Sequence, residues 1–466
     1  MYTGTTNLVA AAQESDLGKP DRPKATHAFV TALQLSTWVG ATLGTVLLVF
    51  ARPLLMALIG NDAIAPDVFL AAMRYVRIRA LGMPAATIIG SAQAGCLGLQ
   101  DIKSPLYVLL AAAVVNFCGD ALLVGSSNSW IGVAAGAAWA TVFSQYVALY
   151  LFTHWLCNKP TPPTKVADVA TTIIDPTGDA KSDELRMGKS LKTVFQSLFK
   201  ANARPPKTPE KGFSCRGMLA QGRFVGMDYL KFPKKDDAKQ FQPYFLPVTS
   251  TQVGRVSSHI AMSHVVASCM GTVGMAAQQV VVSLFYCLTP ISESLSLTAQ
   301  SFVPVIYQKK PSKERSDALR LTALNFAKAG TVAGAVMMSI VMCIPYMSQL
   351  FSADPAVRVM VNSVTSLLLA FFCVHGVVAA SEGVLMGQRD LPFLGKMYAG
   401  FFMVVPYLML RVKKAALAGQ YVDLTSVWSV FLSFQMFRVS AWVCRLLQLQ
   451  RRTDRKVTVL TESGSI

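Results

Sequence analysis

Long apolar runs, each cut off by a short polar stretch, set the pattern of this chain. Ten of them read as full membrane spans: 29–51, 68–97, 105–124, 131–156, 252–273, 276–303, 319–345, 360–386, 391–411 and 425–446. Each is near the ~20 residues that carry a helix across a bilayer. Lipid offers the backbone no water, so a spanning segment is a helix or a strand of a closed barrel, and long runs without strict alternation predict helices. The pattern therefore predicts an all-α polytopic membrane protein.

The polar interruptions divide the chain further. Residues 158–248 are polar and rich in Pro, Lys and Asp, which predicts a largely disordered linker with a short helix near 190–200. The linker separates an amino-terminal part, 1–157, from a carboxy-terminal part, 249–447, with a basic tail at 448–466. One interruption recurs. Gly98-Leu-Gln-Asp101 and Gly387-Gln-Arg-Asp390 lie 289 residues apart, each between two spans and each followed closely by Pro. We read both as tight turns. Gly98 and Gly387 supply a left-handed residue at the end of one helix. Ser104 caps the next helix, with Pro105 at its first position. Two such halves predict pseudo-symmetric lobes, the repeat architecture of transporters. The same offset places Leu297–Ser301, at the end of the second span of the carboxy-terminal half, on residues 8–12. A complete six-plus-six arrangement would thus have the chain start inside its second helix.

Composition sharpens the picture. The chain is 53% hydrophobic and 15% charged, against about 25% charge in a soluble domain. Its net charge of +18 sits between the spans rather than on a soluble surface, so nucleic acid is not an expected partner. Residues 158–242 alone hold 16 Lys or Arg against 9 Asp or Glu. The positive-inside rule then puts the linker, residues 13–28, both turns, residues 308–315 and the tail on the cytoplasmic or equivalent side. Arg411-Val-Lys-Lys414 is the exception, falling on the opposite side. The nine cysteines show no metal-binding spacing. No hydrolase triad, HExxH or phosphate loop appears, so neither an enzyme nor a cofactor is expected. Met1 opens without a basic n-region or a long apolar h-region, so no targeting peptide is read at this start.

Several stretches, in order and spacing, resemble the multidrug and toxic compound extrusion (MATE) family, most nearly its plant and algal DETOXIFICATION-type and DinF-like branch. They are Thr5–Ala10, Tyr75–Pro84, Gly95–Pro105, Asn116–Asp120, Gly274–Val280, Ser292–Pro304 and Glu382–Asp390. The resemblance spares only the linker, and by it the first helix and most of the second are missing here. It implies two six-helix lobes in a V, working as a monomer in an integral membrane such as a plastid envelope. It implies export of a small organic substrate by alternating access, in exchange for H⁺ or Na⁺. A lipid-linked flippase of the same superfamily, or an inactive partial transporter, is the alternative.

Candidate chemistry lies in the few polar residues within spans. Asn116 and Asp120 are four apart and share a helix face. A carboxylate there needs a partner or a watered cavity, and it can carry a proton. The resemblance makes this pair part of an amino-lobe cation site; the alternative is a polar pair that only fixes packing. Glu293 lies beside Pro290, whose missing N–H frees a backbone carbonyl, and is the carboxy-lobe candidate for proton or cation coupling; the alternative is a structural hydrogen bond to a neighbouring helix. Glu382, close to a helix end, reads as a gate or cap. Lys328 either faces the cavity or snorkels to the interface. Gln278 stands where the family often has His and is a further cavity candidate. His259, His264 and His375 are isolated and read as packing residues.

Overall fold

The computed structural model describes residues 2–16, 23–59, 66–101, 103–128, 130–157 and 228–462. The predicted short helix and the part of the linker at 158–227 lie outside the described residues, whereas 228–248, also read as linker, hold a 3₁₀ turn at Asp228–Leu230, a short helix at Lys235–Lys239 and the start of a long helix at Gln242. Fourteen α-helices and one 3₁₀ turn make up the rest: α1 Tyr2–Ser15, α2 Pro23–Ile59, α3 Pro66–Leu81, α4 Met83–Gly98, α5 Lys103–Leu123, α6 Val133–Cys157, α7 Lys235–Lys239, α8 Gln242–Cys269, α9 Gly271–Tyr307, α10 Lys313–Met342, α11 Ile344–Phe351, α12 Pro355–Gly387, α13 Leu391–Leu417 and α14 Leu424–Glu462. The protein is all-α and polytopic. Among the described residues eight helices are long and apolar enough to cross a membrane, or nine if a bent pair counts as one span.

Two of the ten sequence-read spans change. The run 68–97 is not one helix but α3 and α4, bent by 51° at Gly82. Pro84 explains the break, since it has no N–H to give and its ring excludes the carbonyl one turn back. The span read as 252–273 is α8, which starts ten residues earlier, inside the segment read as linker, and ends before Gly271 at φ +63°. α8 is not among the eight apolar helices. Gln252, Arg255, Ser258 and His259 dilute its hydropathy, and three of these four line the cavity described below. The tail is helical as well, because α14 runs on to Glu462.

The repeated turn is real, but its chemistry differs from expectation. Asp101 N–H donates to the Cys96 carbonyl (2.9 Å) and Gln100 N–H to that of Leu97 (2.9 Å). Asp390 N–H reaches Leu385 (3.0 Å) and Arg389 N–H reaches Met386 (3.1 Å). Both are Schellman motifs. The left-handed residues are Gln100 (φ 63°) and Arg389 (φ 62°), not Gly98 and Gly387. The glycines serve close packing instead. A Cβ on Gly98 would stand 2.9 Å from the Thr6 carbonyl oxygen of α1, and one on Gly387 would stand 2.7 Å from Val303 Cβ of α9. In both halves a helix crosses here against bare backbone. The cap also differs from expectation. Asp101 accepts from Ser104 N–H (3.1 Å) and Ser104 Oγ (2.6 Å), so Asp101 caps α5 and Ser104 does not. Pro105 is buried in the first turn of α5. Asp390 is turned to a different use, a bidentate pair with Arg445 of α14 at 2.6 and 3.1 Å.

The two halves meet through α1. Asn7 Nδ2 donates to the Met386 carbonyl at 3.0 Å, and the buried Thr3, Thr5 and Thr6 share this contact region. α13 lies against α8 for most of its length, with Gly254 and Gly395 at the points of closest approach. Its counterpart after the first turn, α5, packs on α6 through Gly119 and Ala140. No described helix covers α5 as α8 covers α13, so Leu106, Leu110, Phe117 and Leu122 stand open.

Candidate functional site

Five helices enclose a cavity of about 440 Å³ in the carboxy-terminal half. α8 brings Arg255 and His259, four residues apart and so on one face. α9 brings Phe285, Tyr286 and Glu293, and α12 brings His375 and Glu382, seven apart. α14 supplies Phe431, Phe434 and Arg438, and Tyr2 and Thr3 of α1 close one side. Six of the 22 lining residues are Phe or Tyr and two more are His. The Phe371 and Phe431 rings stack at 5.3 Å, and His259 lies 5.4 Å from Phe285 and 5.5 Å from Tyr286.

Glu382 is the hub of this site and is fully buried. Arg255 Nη2 pairs with its Oε1, while Arg438 Nη2 reaches its Oε2 at 2.8 Å. Tyr398 of α13 donates its hydroxyl to Oε2 at 2.8 Å, and Trp442 Nε1 approaches the same oxygen at 3.4 Å. A carboxylate taken out of water is tolerable only when so compensated, and here two guanidiniums and a phenol compensate it. The network ties α8, α13 and α14 to α12. Glu382 therefore caps no helix, contrary to that reading; the end of α12 is closed by backbone donors of the turn.

Glu293 differs in every respect. Its side chain is 56% exposed and its Oε1 stands 3.6 Å from Arg255 Nη1, a loose contact without hydrogen-bond geometry. Arg255 thus stands between a fixed carboxylate and a free one. Pro290, one turn earlier on α9, also lines the cavity. Several buried polar atoms here have no partner among the described residues: His259 Nδ1, His375 Nε2, Gln300 Oε1 and Arg438 Nε. His375 is not isolated, since its Nδ1 meets Gln435 Nε2 at 3.0 Å.

The other sequence-read candidates lie elsewhere. Asn116 Nδ2 donates to Asp120 Oδ2 at 3.0 Å on α5, and Ser144 of α6 reaches Asn116 Oδ1 at 3.4 Å. Asp120 Oδ1 is buried without a partner among the described residues. This pair belongs to the amino-terminal half and does not line the cavity. Gln278 is buried and accepts from Trp428 Nε1 at 2.9 Å, tying α9 to α14 away from the cavity lining. Lys328 is exposed on α10 and does not line it either. Sequence reasoning missed Arg255, Arg438 and Tyr398. The signal was present: an Arg inside an apolar run needs an acid, and Glu293 and Glu382 are the two acids within the neighbouring runs.

A charged cavity with aromatic side chains in its wall thus lies inside a polytopic helical bundle. Residues 1–122 match the family model described as MatE. The chain is 24% identical to Protein DETOXIFICATION 47, chloroplastic, of Arabidopsis thaliana over 96% of its own length and 68% of that protein's. It is 21% identical to Protein DETOXIFICATION 44, chloroplastic, over 80% of its length and 57% of that protein's. Its fold matches an outward-facing multidrug resistance MATE family transporter of the MOP superfamily with a TM-score of 0.64 and 13% identity, covering 98% of this chain and 85% of that one. Residues 1–122 are thus similar to the MATE family, and the chain is an integral, multi-pass membrane protein.

Proposed function

We propose that the protein is a secondary antiporter that exports small organic compounds, with a coupling proton carried by Glu293. The observation that carries this reading is the pairing of unlike carboxylates on Arg255. Glu382 is fixed by two arginines and a tyrosine; Glu293 is half-exposed to the cavity and held only loosely. With all four groups ionised the two acids balance Arg255 and Arg438. Protonating Glu293 leaves the cavity one positive charge in excess and releases one side of Arg255. The charge change alters how α8 and α9 attract each other across the cavity, and a ligand or proton that prefers one arrangement shifts the population. The aromatic wall supplies apolar area for the substrate. The near balance of charge does not favour a lipid-linked flippase, which would want a more cationic chamber. Asp120, with Asn116 as its hydrogen-bond donor, is a second candidate ion site in the amino-terminal half, with Na⁺ the alternative ion for either site.

Proteoliposomes loaded with ethidium and given an inward proton gradient test this. Gradient-driven efflux should be present in the wild type, abolished by Glu293→Gln and reduced by Asp120→Asn. Efflux that ignored the gradient, or survived Glu293→Gln unchanged, would overturn the assignment.

A further inference from the structure

The bilayer-facing seam between α8 and α13 holds a second cavity, a groove of about 400 Å³. We propose that it is a binding site for an anionic phospholipid, with an acyl chain in the groove and the headgroup phosphate on Lys413. α8 and α13 run parallel here, since Pro247 meets Gly395, Gly254 meets Tyr398 and His264 meets Lys413 in rising order. At the lower end the backbones nearly touch: a Cβ on Gly254 would lie 2.7 Å from the Tyr398 carbonyl oxygen. Further along, Pro406 interrupts the hydrogen bonding of α13, and its ring stands in the groove wall. The seam opens over this stretch, between Ile260 and Val265 on one side and Phe402, Met409 and Leu410 on the other. The polar lining is sparse. Ser257 Oγ already donates to the Gly254 carbonyl at 3.1 Å, so a polar solute finds few partners and an acyl chain fits.

The mouth of the groove is cationic. Lys413 Nζ lies 3.0 Å from His264 Nε2. An ammonium only donates, so the imidazole accepts one of its protons and two remain for another acceptor. Arg411 and Lys414 flank Lys413 on the same helix end. Among the described residues no salt bridge joins Arg411, Lys413 or Lys414 to a carboxylate. An uncompensated cluster at the end of an apolar, chain-wide groove is complementary to a phospholipid carrying net negative charge. It also accounts for the one basic stretch that breaks the topology pattern of the sequence.

The test uses the full chain in phosphatidylcholine bilayers doped with phosphatidylglycerol whose acyl chain bears a photoreactive diazirine. Cross-links should concentrate on peptides covering 257–265 and 402–410, and native mass spectrometry should show phosphatidylglycerol retained in preference to phosphatidylcholine. Lys413→Gln should cut that preference about fivefold, the contribution of one lysine near a charged lipid surface. Lys328→Gln, an exposed lysine on another helix, should leave it unchanged. Lys413 is at the surface, so its variant is expected to fold, which an unchanged elution profile verifies. Equal retention of both lipids, cross-links spread evenly over the lipid-facing helices, or an equal loss in Lys328→Gln would each overturn the proposal.

Discussion

At the scale of single residues, the contrast between Glu382 and Glu293 is the most informative feature. Removing the charge of Glu382 leaves two guanidiniums facing each other without their acid. Glu382→Gln should therefore destabilise the detergent-solubilised protein by about 3–5 kcal/mol, the cost of breaking a buried ion pair. Glu293→Gln loses only a loose, half-exposed contact and should cost below about 1 kcal/mol. Thermal unfolding of the two variants side by side checks this; similar shifts in both would mean that the carboxylates are not distinct. Glu293 was legible in the sequence as an acid beside an in-span proline. The hub was not, because its partners Arg255 and Arg438 are 127 and 56 residues away from Glu382 and only the packing of three helices brings them together.

At the scale of elements, the repeated turn shows what a motif does and does not encode. The Gly-x-x-Asp spacing correctly located two equivalent turns between helices. It misassigned the work within them, since glycine in such a motif is needed either for a left-handed backbone or for absent bulk, and the letter is the same for both. Here the need is for absent bulk. Gly387→Leu should force Val303 and the end of α9 away and cost about 1–3 kcal/mol, the range for overpacking a tight site. Gln100→Gly should be tolerated, because it relieves a left-handed non-glycine residue that costs roughly 1–2 kcal/mol and carries no helix-packing load. Melting curves of the two variants measure both, and a Gly387→Leu protein as stable as the wild type would refute the close-packing role. α8 fell short in the hydropathy pattern for a related reason. A helix that lines a polar cavity must trade apolar residues for functional ones, so the element with the weakest membrane signal carries the site.

At the scale of the whole molecule, the uneven distribution of charge predicts an orientation in the membrane. Cysteines introduced at Ser312 and at Gln420 should be labelled by a membrane-impermeant maleimide from opposite sides of the bilayer, with Ser312→Cys on the side of the linker. Labelling of both from one side would break the predicted topology. The two halves are joined at α1, and the cavity lies beside that joint, where Tyr2 and Thr3 complete its wall. Glu293 thus lines the same cavity as the α1 residues beside the joint of the halves. The central claim is that Glu293, and not Glu382, takes up the proton. Infrared difference spectroscopy of the reconstituted protein between neutral and acidic pH reads this directly. A protonated-carboxyl band should appear on acidification in the wild type and in Asp120→Asn, weakened in the latter only by the share of Asp120, and should be missing its main component in Glu293→Gln. A band that is unchanged in Glu293→Gln would contradict the account.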